Sequence, residues 1–514
     1  MTGTVKQNNS KSTRIIRRNA ISNFVGRSWN ALLSLVFIPV YIRLLGAESY
    51  GLVGFSVSLQ MMVSLLEMGL ATTATKEIAR LSAKNHPRWM KDRADLMRTL
   101  EVIYFAIALV AGTLIFINAE ALAVRWFHPR QLFIKEIKRA IVIMGWLIAA
   151  RMPFSLYSGA LMGLQKHVLL NGIMVAMVTL KHAGAVFALY FISSEVIVFF
   201  VWCLIIEVLQ TAVTGYLFWK KLVISSYRAG FKIEQVKKIW RFASAVSLIG
   251  ATNVALSQAD KLFVSKVFSL ETFGYYSAVS TLAGALYFLT YPVITALFPR
   301  YAQLFSQNAK KELLELYRKS GKVLSALLLP CGIIFLTFSE EILSIWLPEA
   351  KQVKVLSGVF RIIVISVILN SLFNLPMNLQ LASGWTSLII YSNLMWLLIL
   401  PLAMWQLSVS MGVLGVPIAW MLYNLFCFTA VAYLAHRRLL YQMRIRNFVF
   451  DIATPLAAAG TVAVLAYMLF PYPKGIIEKC IMLGTVFLLA ETASILTIRE
   501  FRFTILQYVK KLYK

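Results

Sequence analysis

Ten ionisable residues lie inside apolar runs of this chain: Arg27, Glu67, Arg151, Lys181, His182, Glu207, Asp260, Lys261, Arg361 and Glu491. A charge at the centre of a membrane span costs about 3 kcal/mol, so each needs a reason. Bond-making chemistry does not supply one. The chain has four aspartates, none in an Asp-x-Asp pair, and no Gly-rich phosphate loop of the Walker type. A set in which cations prevail can instead hold an anion by charge-assisted hydrogen bonds. Arg27, Arg151, Lys181, Lys261 and Arg361 are therefore candidate ligands for an anionic substrate, and Arg27, Arg151, Lys181 and Arg361 are expected to face one cavity. Snorkelling to a span end is the competing reading for the arginines, and it serves Lys181, near mid-span, worst. Asp260, beside Lys261, is either half of a local ion pair or a carboxylate whose H+ or Na+ occupancy responds to the arriving anion. Glu67 is the second candidate for such coupling. No metal or organic cofactor is implied. Glu207 and Glu491 stand on otherwise apolar helices and read as structural or interfacial, and His182 reads as a packing residue.

Polar residues accompany these charges at helical spacing. Asn19, Asn23, Arg27, Asn30 and Ser34 share one helix face. So do Asn253, Ser257, Lys261 and Ser265, and again Asn370, Asn374 and Asn378. Asn23, Asn30, Asn253, Ser257, Asn370 and Asn374 are the candidate polar lining of a wet cavity. The alternative is that Asn and Ser glue neighbouring helices together.

The elements that must position these residues are membrane helices. Of 514 residues, 59% are hydrophobic and 14% charged, too apolar for a soluble domain. The apolar runs are continuous and ~20 to 28 residues long, which suits helices rather than barrel strands. The pattern predicts an all-α polytopic membrane protein of about 14 spans: two pseudo-symmetric six-helix lobes plus a C-terminal pair. The divisions are a basic tail (1–18), a first lobe (19–219), a basic amphipathic linker (220–242), a second lobe (243–435), a final pair of spans (448–498) and an amphipathic tail (499–514). The linker and the tail are expected to lie flat on an anionic leaflet. Pro292 and Pro299 in the eighth span and Pro376 in the tenth predict bends.

The net charge of +29 does not mark a nucleic-acid binder, because no compact basic domain carries it. The basic residues alternate with the loops. Lys76 to Arg98, Lys220 to Arg241, Arg300 to Lys322 and Arg437 to Arg446 all fall on the side of the N-terminus. The positive-inside rule then places both termini in the cytoplasm. One outer segment, 120–139, is basic as well, and reads as an interfacial helix or a contact for anionic head groups. Cys203, Cys331, Cys427 and Cys480 lie in apolar runs, read as small buried hydrophobes, and have no metal-ligand or disulfide spacing. No cleavable signal peptide is expected, because the first apolar run is too long for one.

The chain also repeats itself. Glu48-Ser49-Tyr50-Gly51 recurs as Glu271-Thr272-Phe273-Gly274, with Asn30 and Ser34 opposite Asn253 and Ser257. Duplicated halves are a common plan of secondary transporters. Pro39, Arg43-Leu44-Leu45-Gly46-Ala47-Glu48-Ser49-Tyr50-Gly51 and Glu67-Met68-Gly69-Leu70 resemble the opening pattern of the Wzx-type polysaccharide flippases, although family members usually have Asp where Glu67 stands. Leu161-Met162-Gly163-Leu164-Gln165-Lys166, Asp260-Lys261 and Leu297-Phe298-Pro299-Arg300 extend the likeness over about residues 15–435. That group sits in a superfamily with multidrug and toxin extruders and lipid II flippases.

The resemblance implies two lobes in a V around a central cavity in a bacterial cytoplasmic membrane. It implies a substrate of undecaprenyl diphosphate carrying an oligosaccharide, such as an O-antigen repeat unit, flipped from inner to outer leaflet. Polysaccharide polymerase and chain-length machinery are the implied protein partners, and the last two spans an implied groove for the prenyl tail. The rival of the same fold is a cation-coupled multidrug exporter, expected to have twelve spans and an acidic cavity. The rival of another class is a membrane glycosyltransferase or polymerase, which needs catalytic acids and a large outer loop.

Overall fold

The computed structural model of the protein describes residues 2–67, 69–82, 87–222, 227, 229–347, 353–440, 445–469, 475–498 and 502. The basic side chains of the tail 1–17, the side chains of the amphipathic linker at 235–249, Arg228 and the amphipathic tail 503–514 lie outside this set. All regular structure among the described residues is helical. Continuous apolar sequence leaves no alternative in lipid, where each backbone N–H and C=O must be satisfied within its own segment.

Two compact units divide the chain, Met1–Tyr275 and Tyr276–Lys514. The first holds α1 (Thr2–Leu45), α2 (Ala47–Val63), α3 (Leu70–Ser82), α4 (Pro87–Arg125), α5 (Ile134–Gly163), α6 (His167–Phe191), α7 (Val196–Leu222) and α8 (Ile233–Val267). Side-chain contacts give their directions. Asn19 donates to Gln165, Asn171 to Asn23, Trp29 to Thr179, and Tyr41 meets His182, so α1 and α6 run parallel. At ~0.6 kcal/mol for each interhelical hydrogen bond, four such contacts hold the pair by about 2 kcal/mol. α5 and α7 are also parallel, through Arg151 and Glu207 and then Tyr157 and Gly215. α4 and α5 are antiparallel, with Glu120 on Lys138 and Gly112 on Ala149. α8 follows α4 from Asp95, beside Lys232, to Trp126, whose indole donates to Ser265. The sequence assigns α8 to the second half. It packs within the first unit because its flanks meet α2, α3 and α4.

α2 and α3 follow one another along the same neighbour, α5. They are joined by a tight turn at Ser64–Glu67 and by Gly69, whose φ of 65° lies in the left-handed region that glycine enters without strain. Both helices lie along α5 in one direction, Gln60 on Arg151, Glu67 on Ser155 and Thr75 on Gly159.

The second unit takes up α9 (Leu270–Gly284) from Tyr276 onward, then α10 (Leu286–Ser306), α11 (Lys310–Thr337), α12 (Ser339–Trp346), α13 (Val353–Ser383), α14 (Ser387–Met411), α15 (Gly415–Phe426), α16 (Ala432–Leu439), α17 (Ile445–Leu469) and α18 (Ile476–Leu496). α11 runs antiparallel to α13, with Gly321 near Leu375 and Gly332 near Ile368. It runs parallel to α17, with Arg318 on Asp451 and Ile333 near Gly460. Ile334 and Phe338 pack with Ala459, Ala466, Met482, Val486 and Ala490 to fasten α17 and α18 to α11.

Ten helical segments among the described residues are long and apolar enough to cross a membrane, or eleven if the bent pair α9 and α10 counts as one span. One of them, Ser387–Leu439, is 53 residues long and folds back at Gly412, since α14 packs on α15. Two sequence expectations need correction. The bend in the eighth span, 44°, falls between Gly284 and Leu286, while α10 continues through both Pro292 and Pro299. Hydrogen bonds there shorten to Ala285 N–H on Leu282 and Phe288 N–H on Ala285, a tighter turn that absorbs the bend. Cys480 is exposed on α18 and Cys331 half-buried on α11, while Cys203 and Cys427 are buried; all four cysteines are free.

Candidate functional site

A buried charged cluster lies in the first unit, where α2, α5, α6 and α7 meet. α6 and α7 are the most apolar surroundings in this unit, so a carboxylate placed there must find a cation. Glu207 on α7, with its side chain 4% exposed, accepts from Lys181 Nζ on α6 at 2.8 Å and sits 3.6 Å from Arg151 on α5. Arg151 also donates to Gln60 Oε1 of α2 at 2.9 Å, and half of its side chain is exposed. Two cations thus share the carboxylate of Glu207, and Glu67, one turn along α5, is a second acid within electrostatic reach of Arg151. Glu207 has a definite role here: it fixes the two cations that sequence analysis singled out.

One helical turn further along α5, Ser155 donates to Glu67 Oε2 at 2.8 Å. Glu67 stands at the turn where α2 gives way to α3, so a carboxylate occupies a break between two helices. Irregular backbone in a membrane helix commonly marks a binding or coupling position. On α8, Asp260 is buried and lies 3.4 Å from Lys261, the local pair that their adjacency permits.

The polar stripes divide. On α1, Asn23 is bonded to Asn171 and His167 of α6, so it glues helices together, while Arg27 and Asn30 on the same helix are exposed. His182 stacks on Phe37 at 5.3 Å and meets Tyr41, a packing role. On α8, Ser257 is exposed and Asn253 half-buried. In the second unit, Asn370 of α13 accepts from Tyr287 of α10 and donates to Asn424 of α15, while Asn374 gives its backbone carbonyl to Asn378. Arg361 donates to Ser339 at 2.6 Å and to the Leu336 carbonyl at 3.2 Å, with Glu340 at 3.6 Å. It thereby caps the last turn of α11. Glu491 faces α11 with one carboxyl oxygen buried and without a hydrogen-bond partner.

Sequence reasoning missed four acids that the fold puts to work. Glu48 of the repeated tetrapeptide accepts from the Arg130 and Gln131 amides at 2.6 and 2.8 Å. Its counterpart Glu271 lies 3.6 Å from the Arg130 side chain, so one loop clasps both copies. The two glycines explain the rest of the motif. A Cβ on Gly51 would stand 2.5 Å from the Leu270 carbonyl, and one on Gly274 would stand 2.0 Å from that of Ala47. Asp95 accepts from Tyr227 at 2.7 Å and from the Gly230 amide at 2.9 Å, and pairs with Lys232. These bonds hold the Lys232 ammonium and the Tyr227 phenol above their ordinary pKa values. Asp451 binds Arg318 and Lys322. The rarity of acids in basic segments was the available signal. Among the described residues no group of His, Cys, Asp or Glu is arranged to hold a metal.

An all-helical chain of many apolar spans, with charges paired inside it and a break between helices beside them, is a multi-pass membrane protein with the plan of a transporter. A family model described as polysaccharide biosynthesis protein matches residues 16–305, more than half of the chain, and the chain belongs to that family. A second model, MatE, matches residues 246–405. A Shigella flexneri protein described as an O-antigen transporter is 22% identical over 79% of this chain and 94% of its own length. One of the same description from Escherichia coli is 27% identical over 60% and 70%. Among solved structures, the lipid II flippase MurJ in an inward closed conformation aligns over 92% of this chain and 98% of its own, with a TM-score of 0.67 at 13% identity. An inward-facing multidrug transporter of the MATE family aligns over 80% and 95%, with a TM-score of 0.64 at 11% identity. The fold is that of MurJ and the MATE transporters.

Proposed function

We propose that this protein flips an undecaprenyl-diphosphate-linked oligosaccharide from the inner to the outer leaflet of a bacterial cytoplasmic membrane by alternating access. The observation that carries the reading is the pair of cations, Arg151 and Lys181, set on the single carboxylate Glu207. Two cations on one carboxylate can exchange it for a diphosphate or an acidic sugar by charge-assisted hydrogen bonds. Membership of the polysaccharide biosynthesis family and the O-antigen relatives support the substrate class, and the MurJ fold supports the lipid carrier. Glu207 holds the cations in place when no anion is bound, and the arriving anion competes for them. Within the first unit Arg27, Lys261, Asn30, Asn253 and Ser257 are the further polar groups proposed to meet the substrate, and within the second unit Arg361, Asn370 and Asn374 are proposed to do so; Asn23 is proposed to hold α1 to α6.

The proposed topology has fourteen passes with both termini in the cytoplasm. The helix directions support seven passes up to the end of α8. Glu67 and Asp260 are the proposed coupling groups, Glu67 because it sits at a helix break within a turn of Arg151. Polysaccharide polymerase and chain-length machinery are the proposed partners. The MatE match favours a second reading, export of a drug cation, for which a cluster whose one buried carboxylate is held by two cations is poorly suited.

Deleting the gene should leave lipid-linked oligosaccharide on the inner leaflet and abolish the surface polymer. Lys181→Ala should fail to restore export while Lys221→Ala restores it. Normal export by Lys181→Ala, or accumulation of a cationic drug in place of the glycolipid, would overturn the proposal.

A further inference from the structure

A groove of about 930 Å³ opens on the flank of the first unit, between α4, α5, α7 and the loop before α8. Phe105, Pro153, Val208, Ala212, Tyr216 and Trp219 give it largely apolar walls. Along α7 it runs from Val208 to Trp219, eleven residues and ~16 Å at 1.5 Å each. That is about half of the ~30 Å hydrocarbon thickness, the depth of one leaflet. None of Arg151, Lys181 and Glu207 lines the groove.

Its mouth is cationic in a specific way. Arg98 stands there with 55% of its side chain exposed, held over Trp219 at 5.7 Å and against Glu101 at 2.9 Å. Lys220 lies 5.9 Å from the Tyr216 ring and Lys91 5.4 Å from the Tyr227 ring. The nearby buried acids are already engaged. Glu101 accepts from Arg98, from the Tyr157 hydroxyl at 2.7 Å and from the Trp219 indole at 2.5 Å. Asp95 is taken by Tyr227, Gly230 and Lys232. Among the described residues of these segments, Lys91, Arg98, Lys220 and Lys221 outnumber the two remaining acids, Asp92 and Glu234, and the mouth is left positive.

We infer that this groove is a site for an anionic phospholipid, one acyl chain lying along α7 and the phosphate on Arg98. Charge complementarity selects the head group, and the one-leaflet length selects a lipid that enters from the leaflet at the basic end of the unit. The ring stack on Trp219 and the bond to Glu101 pre-organise the Arg98 fork, so less side-chain freedom is lost when the phosphate binds. The bound chain covers Phe105 and Tyr216, both otherwise exposed.

Native mass spectrometry of the full-length protein, titrated with phosphatidylglycerol or with zwitterionic phosphatidylcholine, tests the site. Phosphatidylglycerol should bind more tightly, and Arg98→Gln should weaken it about fivefold, with Arg98→Lys between the two because lysine keeps the charge and loses the stacked fork. Ala212→Trp, or Val208→Trp if the first does not fold, should displace both lipids by filling the groove. Lys311→Gln, the same charge change in the other unit, should leave binding unaltered. Equal affinity for the two lipids, wild-type binding by Arg98→Gln together with a tryptophan variant, or displacement of phosphatidylglycerol by undecaprenyl phosphate in a manner sensitive to Ala212→Trp would each overturn the inference.

Discussion

Glu207 decides more than any other single side chain in the first unit, because it converts two costly cations into a fixed constellation. Removing one partner of a buried pair leaves an uncompensated charge, at about 3 kcal/mol or more. Glu207→Gln is therefore expected to lower the unfolding midpoint in detergent and to abolish flipping. The double variant Lys181→Met with Glu207→Leu separates the two effects. It should recover most of the stability, because well-packed apolar residues replace an ion pair at little cost, yet leave flipping absent. Recovery of transport in the double variant would show that the pair serves packing alone. Glu67 makes a different prediction. If it carries the coupling ion, Glu67→Gln should reduce flipping driven by an imposed proton or sodium gradient, while Glu67→Asp, the residue usual in the family the chain resembles, should retain it. A rate indifferent to both gradients in reconstituted vesicles, with Glu67→Gln and Asp260→Asn still flipping normally, excludes coupling through these acids.

At the scale of elements, the repeated tetrapeptide is a packing device. Gly51 and Gly274 allow α2 to approach the start of α9 so closely that any side chain at either position would meet backbone. Backbone cannot step aside as a flexible side chain can. Gly274→Ala should thus destabilise the protein by about 2 kcal/mol or more, measured as a fall in unfolding midpoint. A methyl group added at Gly172 on α6 would meet nothing within 4 Å, and Gly172→Ala should be neutral or stabilising by up to about 1 kcal/mol. Equal effects at the two positions would remove the packing account of the motif. The loop 126–131 adds the second layer, since Glu48 binds its amides and Glu271 its arginine.

For the whole molecule, the loop charges and the helix directions bear on the same quantity by independent routes. Asp95 of α4 meets Lys232 before α8, so two segments that the charge pattern places on one side do share one end of the unit. Glu120 and Lys138 lie at the opposite end of α4 and α5. Reporter fusions after Lys84 and Arg228 should accordingly read cytoplasmic, and one after Ser194 periplasmic. A periplasmic signal at Arg228 would invert the proposed topology for everything that follows.

The sequence by itself determined the class: helices in lipid, and which charges are anomalous. Those follow from composition and periodicity, because the bilayer imposes one backbone solution and a fixed span length. It could not say which anomalous charges meet. Lys181 and Glu207 lie 26 positions apart and Arg151 and Glu207 56 apart, on different helices, and only the packing of α5, α6 and α7 brings them together. The same holds for Asn23, which the helical wheel places beside Arg27 but the α1–α6 contact turns into glue. Nor could it locate the bend of the eighth span, where the local propensity of Pro292 yielded to a tighter turn beside Gly284. Which face of a helix meets protein, water or lipid is a property of its neighbours, and neighbours are chosen by tertiary structure.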